Sequence, residues 1–445
     1  MALHEPVELA DAAAAAARAP GLRDVTRFRD VSPYLWLLLA SAFLGWMFDA
    51  MDLNITSNIL TPTIANLLHT ADPRVILRYG GLVVAIKLFA WGIGGVVFGV
   101  ITDRIGRART MAYTIAIYSV FTALSAFSPN LVVFALCQAL AGIGIGGEWS
   151  AGAALIAETW PERLRPRVMQ FMQMAFAFGL ILAGWITGVF GAFGWRWVLI
   201  AGGAPVLITI LVRVYVKEPE RWVAVHAAVE KTGNNLGKNP FARIFAPDLR
   251  RSTIVGTLAG IAMMVGSWGG LTWIPSWVHQ LLPAELAPRT SSYVSTAMML
   301  VGVGSILGYV TLMWLTSAIG RRWSYFVFCA GSLVSSLYLF SSLHTLDAVI
   351  AFMPVWGYFN IGAFGTFAAY LPELFPTSAR ATGQGFAWNV ARFFTGFGPI
   401  VGGALIAGSG GSFPAAARLV SYIFVLGLIV IWFGPETKGK ALTDF

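Results

Sequence analysis

Apolar runs of about 20 residues, the length that crosses a bilayer as a helix, recur twelve times along this 445-residue chain. They fall near 34–60, 79–101, 110–127, 131–157, 167–190, 196–216, 252–278, 291–315, 323–341, 345–370, 381–407 and 415–434. Barrel strands are excluded, because those run to about ten residues and alternate in polarity. With 57% hydrophobic and only 11% charged residues, the chain is too apolar to hide its side chains in a water-soluble core. The expectation is an all-α membrane protein with the lipid bilayer as its solvent.

A net charge of +9 would fit a nucleic-acid partner if the basic residues formed one patch. They are instead sorted by side. With the N-terminus in the cytoplasm, Arg74, Arg78, Arg196, Arg289 and Arg418 fall outside, Lys87 and Arg392 lie within spans, and all other Lys and Arg lie inside. That is the positive-inside pattern of a multi-pass protein of the cell membrane, a bacterial inner membrane, with both termini cytoplasmic. Charge therefore reports topology, and no nucleic-acid partner is expected. Residues 1–33 read as a cytosolic tail without the apolar core and cleavage site of a signal peptide. Cys137 and Cys329 lie within spans at no metal or disulfide spacing and read as packing residues, so no metal and no cofactor is expected.

Sliding the chain against itself exposes a duplication. The pattern E-x-x-P-x-x-x-R occurs at Glu158–Arg165 and again at Glu373–Arg380; Gly106-Arg107 matches Gly320-Arg321, and Pro219-Glu220 matches Pro435-Glu436. The three matches keep their order and nearly the same offset. They divide the chain into a six-span half at 34–216, a cytosolic linker at 217–251, a second six-span half at 252–434 and a tail at 435–445. The linker stretch Lys217–Lys231 has the pattern of a short amphipathic helix, broken by Gly233–Gly237.

Polar residues inside the spans are where function concentrates, since each acid at mid-bilayer depth costs roughly 2.5–3.5 kcal/mol. Asp49 and Asp52 share one helical face with Gly45 and Thr56. A desolvated carboxyl with another one turn away retains a proton near neutral pH, which makes a proton carrier. The competing reading is a structural ion pair. Glu148 follows Gly142, Gly144, Gly146 and Gly147, whose G-x-G-x-x-G spelling lies inside a span and therefore marks close helix packing rather than nucleotide binding. Lys87 and Arg392 are the cations deep in spans; Arg392 shares a face with Gln384 and Trp388, and a guanidinium there suits a carboxylate. Either cation could instead neutralise Asp49, Asp52 or Glu148. Aromatics crowd Asn360 (Trp356, Tyr358, Phe364), span 7 (Trp268, Trp273, Trp277) and Asn389 (Trp388, Phe393), some as interfacial anchors and some as a flat substrate surface. Gly269-Gly270, Pro275 and Pro399 are expected to bend their helices. Five histidines, no H-E-x-x-H and no G-x-S-x-G leave an enzyme without parts.

Gly99-Val-Ile-Thr-Asp103-Arg104-Ile-Gly106-Arg107-Ala-Arg109 resembles the G-x-x-x-D-R-x-G-R-x-R signature of the major facilitator superfamily. Phe48–Asp52, Gly142–Arg165 and Pro372–Arg392 resemble its metabolite:proton symporters, including the aromatic-acid and sialic-acid permeases. The resemblance implies two pseudo-symmetric six-helix bundles, twelve transmembrane helices in all, acting by alternating access as a monomer. It implies proton-coupled symport of a small organic anion, such as an aromatic or sugar acid. The alternative is a proton-coupled efflux antiporter for drugs or metabolites, whose cavity would be acidic. Asp49, Asp52 and Glu148 are the expected proton-coupling residues. Arg392, Lys87, Gln384, Trp388, Asn389, Asn360, Tyr358, Trp273 and Gln138 are the expected substrate contacts. Gln138 stands where these symporters usually carry an arginine, so Lys87 is the candidate to supply that cation. Asp103, Arg104, Arg107, Arg109, Glu158, Arg165, Glu373 and Arg380 are expected to form a charged gate, or else merely to set topology; Ser317 replaces the acid in the second half, which predicts an asymmetric latch.

Overall fold

The computed structural model describes residues 27–207, 215–232, 239–271, 274–283, 285–286, 290–397 and 413–440. All regular structure among them is helical, the arrangement that satisfies each backbone polar group internally in lipid. The first half comprises α1 (Pro33–Asn58), α2 (Leu60–Leu68), α3 (Pro73–Ile105), α4 (Arg107–Ser125), α5 (Leu131–Thr159), α6 (Arg165–Phe190) and α7 (Trp195–Gly202). The linker carries α8 (Glu220–Thr232) and α9 (Pro240–Arg243). The second half comprises α10 (Arg250–Leu271), α11 (Ile274–Leu281), α12 (Thr290–Ile319), α13 (Arg321–Ser342), α14 (Leu346–Asn360), α15 (Phe364–Glu373), α16 (Arg380–Gly396), α17 (Phe413–Ser421) and α18 (Phe424–Val430). Among the described residues, nine helical stretches are long and apolar enough to cross a membrane, and the remaining helices complete the twelve-span plan.

Small residues set the spacing. A Cβ on Gly94 would overlap the backbone of Ile143, and one on Gly146 would overlap Gly95 and Trp91, so α3 and α5 touch backbone to backbone. Large apolar side chains such as Val132, Leu136, Trp185 and Val334 point outward, as a lipid-facing surface requires. The halves meet where α3 lies along α16: Gly95 faces the Asn389 side chain and Gly99 faces the backbone of Ala381.

Two features differ from expectation. The tenth span is broken, α14 ending at Asn360 and α15 beginning at Phe364, while Gly269 and Gly270 sit inside the uninterrupted α10, facing Val420, Trp356 and Phe340. Side chains add bonds to carbonyls around the break: Ser267 Oγ donates to Asn360 O (2.9 Å), Ser332 Oγ to Phe359 O (3.0 Å), and Gln170 Nε2, from the other half, to Gly365 O (2.6 Å). Pro399 and Gly233–Gly237 lie outside the described residues, as do residues 1–26. The amphipathic linker helix is present as α8. Its Trp222 is buried, donates Nε1–H to Asp103 O (3.1 Å) and stacks on His226.

Candidate functional site

At the end of the bundle that carries the Gly99–Arg109 motif, each half builds the same bracket. Arg107 grips Glu158 through Nε (3.0 Å) and Nη2 (2.8 Å) and donates Nη1–H to Thr102 O (3.2 Å). Arg321 grips Glu373 through Nε (2.9 Å) and Nη2 (2.8 Å) and donates Nη1–H to Thr316 O (3.2 Å). Each arginine opens a helix just after a glycine at positive φ, Gly106 (113°) and Gly320 (90°), where a side chain would be strained. A carboxylate then caps each helix start. Glu218 accepts from the N–H groups of Arg107 (2.6 Å), Ala108 (3.2 Å) and Arg109 (3.0 Å), and Glu436 from those of Arg321 (3.0 Å) and Arg322 (3.2 Å). The sequence match between Pro219-Glu220 and Pro435-Glu436 therefore paired the wrong glutamate, because the capping acid precedes the proline in one half and follows it in the other. Burial pushes the Glu436 carboxyl up, but the N–H groups of Lys438, Arg321, Arg322 and Thr437 outweigh it and hold the group below the usual range.

Among the described residues, only the first bracket makes hydrogen bonds across to the other half. Arg380 donates Nη1–H to Glu158 (2.7 Å), Arg107 donates Nη2–H to Thr377 O (2.8 Å), and Asp103 caps the start of α16 by accepting from Ala381 N (3.2 Å) and Thr382 N (2.7 Å). Glu158 thus sits between two arginines, fully shielded. The repeat-related Arg165 is buried too, yet it forms no ion pair among the described residues, and Glu373 instead accepts from Thr437 Oγ1 (2.6 Å). Arg104 and Arg109 are exposed and form no ion pair among the described residues, so these two expected gate members take no part in the latch. Their side chains leave the helix on the solvent side while Asp103 and Arg107 face inward.

In mid-span the expected pair of acids is split. Asp52 is closed off by Lys87: Nζ lies 2.7 Å from Oδ2 and 2.8 Å from Thr56 Oγ1, and Thr122 Oγ1 donates to Oδ1. Thr56 Oγ1 donates to Gln138 Oε1 (3.1 Å), whose amide donates to Ser125 Oγ (3.1 Å). Lys87, the candidate for the cation absent at Gln138, is paired with Asp52 rather than held open for substrate. Asp49 stands beside Glu148 instead, Glu148 lying in the notch left by Gly45, and no protein donor among the described residues reaches any of the four carboxyl oxygens.

Arg392 completes the centre. Its guanidinium lies 3.4 Å above the ring centroid of Trp91 and 5.8 Å from that of Trp388, close enough to Asp49 to feel its charge, but with no ion pair and with Nε and Nη1 unpartnered among the described residues. Trp388 stacks on Trp149 across the halves (4.3 Å, 11°), and Trp149 donates Nε1–H to Gln173 (3.1 Å). Gln384 donates to Ser150 O (2.5 Å) and Asn389 lies against α3, each leaving one buried oxygen unpartnered. Buried polar atoms are normally bonded, so the concentration of unpartnered ones around Asp49, Glu148 and Arg392 marks this as the candidate functional centre.

Two expected contacts fall elsewhere, and a third is not described. Asn360 spends its amide on Ser335 (3.2 Å) and Trp356 O (3.2 Å) and accepts from Ser336 (3.3 Å), a knot inside the second half. Tyr358 stacks on Phe328, between helices of that same half. Trp273 lies outside the described residues. Trp46, Trp91, Trp149 and Thr122 belong to the centre although the sequence reading passed over them; the adjacency of Trp149 to Glu148 was the available signal.

A family model for the Major Facilitator Superfamily matches residues 35–391. A Haemophilus influenzae protein assigned provisionally to metabolite transport is 30% identical over 419 residues, covering 93% of this chain and 99% of its own. A Bacillus subtilis protein assigned provisionally to niacin/nicotinamide transport is 28% identical, covering 91% and 97%. The solved structure of XylE, the proton:xylose symporter of E. coli, superposes with a TM-score of 0.77 at 19% identity over 92% of this chain and 98% of that one, which shows the shared fold.

Proposed function

This chain belongs to the major facilitator superfamily, a multi-pass membrane transporter and not an enzyme, and from that premise we propose that it takes up a small organic anion together with protons by alternating access. The observation that carries the proposal is Arg392: a buried guanidinium laid on the Trp91 ring with Trp388 nearby, its Nε and Nη1 unpartnered, facing an acid pair with which it forms no ion pair among the described residues. Its flat aromatic bed suits an aromatic or sugar acid, and niacin, the cargo in the name of one relative, is a flat ring bearing a carboxyl group. In this reading Asp49 and Glu148 share the mobile proton, while Trp388, Gln384, Asn389, Trp149 and Trp91 line the cargo. Efflux of cations fits poorly with a buried arginine whose donors are unpartnered.

The motif end is placed in the cytosol of a bacterial inner membrane, with the bundles at 34–216 and 252–434, the linker at 217–251 and the carrier a monomer. The bracket at Glu158 then shuts the cytosolic side until cargo and proton are both aboard. Reconstitution into liposomes with an imposed pH gradient tests this. The wild type accumulates an organic acid from a panel of aromatic and sugar acids, and Arg392→Ala loses at least tenfold in accumulation. Accumulation indifferent to the gradient contradicts the coupling, and unchanged uptake by Arg392→Ala contradicts the anion clamp.

A further inference from the structure

Among the described residues, five acidic or basic side chains stand in the middle of the spans: Asp49 and Asp52 on α1, Lys87 on α3, Glu148 on α5 and Arg392 on α16, all buried. The other buried charges, Asp103, Arg107, Glu158, Arg165, Arg321 and Arg380, sit at the motif end. Asp52 and Lys87 consume each other, and with Thr56 and Thr122 they leave neither group open, so the pair adds no net charge to the centre. Three groups remain to be balanced. Asp49 and Glu148 adjoin, with the neutral Tyr118 hydroxyl, itself unpartnered, as their neighbour on α4, and Arg392 faces them from α16.

From this arrangement we infer that the centre carries one monovalent anion with one net proton, making transport electrically neutral and excluding dianions; the inference rests on the symport reading above and adds its stoichiometry. Reorientation moves these groups through a low-dielectric barrier, where an unbalanced charge costs several kcal/mol, so the neutral forms are the ones that move. In the empty carrier, one proton on the acid pair leaves a single negative charge opposite Arg392. When a monoanion binds, it takes over the guanidinium, and the acid pair must hold a second proton to stay balanced. That second proton forms its O–H bond with water on the side where the anion enters and returns to water where the anion leaves. The first proton stays. A dianion would leave one negative charge even with both acids protonated, because the other titratable neighbours among the described residues, the already protonated Tyr118 hydroxyl and the Asp52 carboxylate paired with Lys87, offer no further balancing charge.

The experiment uses the full-length protein in liposomes whose pH gradient and membrane potential are set independently, with potassium and valinomycin fixing the potential. The probes are labelled nicotinate and benzoate as monoanions and phthalate and cis,cis-muconate as dianions. The expected result is monoanion accumulation that follows the pH gradient and changes less than twofold with potential, and no accumulation of either dianion. One net charge moved per anion would instead multiply accumulation about 50-fold per 100 mV, and that result overturns the stoichiometry while leaving proton coupling standing. Dianions carried as well as monoanions overturn the selectivity. Accumulation independent of both gradients, or of every acid tried, overturns the symport reading itself and this inference with it. The variant Asp49→Asn/Glu148→Gln keeps Arg392 alone: it is expected to exchange labelled for unlabelled nicotinate yet lose pH-driven accumulation, and pH-driven accumulation in it contradicts the charge balance.

Discussion

The two halves share a bracket but not a chemistry. In the first half the bundle interior is held by an ionised network, Asp52, Lys87, Thr56, Thr122 and Gln138; in the second half the comparable knot, Asn360 with Ser335, Ser336 and Trp356, is neutral throughout. At the motif end the first bracket hydrogen-bonds across the interface, whereas among the described residues the hydrogen bonds of the second stay within its own half. The acids that matter thus lie on one side, Asp49, Glu148, Asp103 and Glu158, while α16 of the other side brings both arginines that answer them, Arg380 at the latch and Arg392 at the centre. Twelve residues of helix separate these arginines, roughly 18 Å of axis. Under the proposed function, α16 is the element that connects the binding centre to the gate. The repeated bracket explains the fold, and the asymmetry explains how the halves take different roles.

The comparison predicts unequal costs. Glu158→Gln removes the carboxylate that Arg107 and Arg380 share in a fully buried place, and a lost buried partner typically costs about 3–5 kcal/mol, so thermal unfolding in detergent should fall sharply. Glu373→Gln strands only Arg321 and should cost visibly less; equal losses would break the distinction between the brackets. Next in size is the mid-span pair. Lys87→Met leaves Asp52 without its cation and is expected to cut transport and stability strongly, whereas Lys87→Met/Asp52→Asn should recover much of the stability, because removing both charges avoids the unpaired one. A double variant no better than the single would show that Lys87 serves the cargo instead.

Asp103→Asn keeps the shape of the cross-half cap but loses its charge, worth about 1 kcal/mol at a helix start. It should speed alkylation of a cysteine placed at Ala381 by several-fold, and the corresponding Ser317→Ala should change nothing. The smallest effect is a pH dependence at the second bracket. The Glu436 carboxyl titrates below its ordinary value, so its contribution to stability is present above the unfolded value of about 4.3 and is lost as pH falls through the lower folded value. Wild type should therefore exceed Glu436→Gln in unfolding temperature at pH 6 and converge with it in strong acid. A gap that grows on acidification would reverse the sign.

The helical plan, the duplication and the identity of the bracket arginines were legible because each depends on local pattern: length of apolar run, a glycine before an arginine, a glutamate at a fixed offset. Partnerships in mid-span were not. Helical spacing put Asp49 and Asp52 on one face, but a turn of helix swings them through enough angle that Asp52 meets α3 and Asp49 meets α5, and only the packing of Gly45 against Glu148 decides that. Asn360 read as substrate-facing because an amide inside a span invites a ligand; the serines that satisfy it lie about 25 positions away on another helix. Trp91 carried no sign that a guanidinium would lie on its face. The asymmetry of the latch was visible in Ser317, which stands where the first half has Asp103.

The most direct test of the account is the proton count on binding. Nicotinate is titrated into the detergent-purified protein in weakly buffered solution, with binding followed by the fluorescence of the Trp91, Trp149 and Trp388 cluster and proton uptake by an indicator dye. The account predicts close to one proton taken up for each nicotinate bound, vanishing in Asp49→Asn/Glu148→Gln while binding persists; nicotinate bound by the wild type with no proton uptake would contradict it.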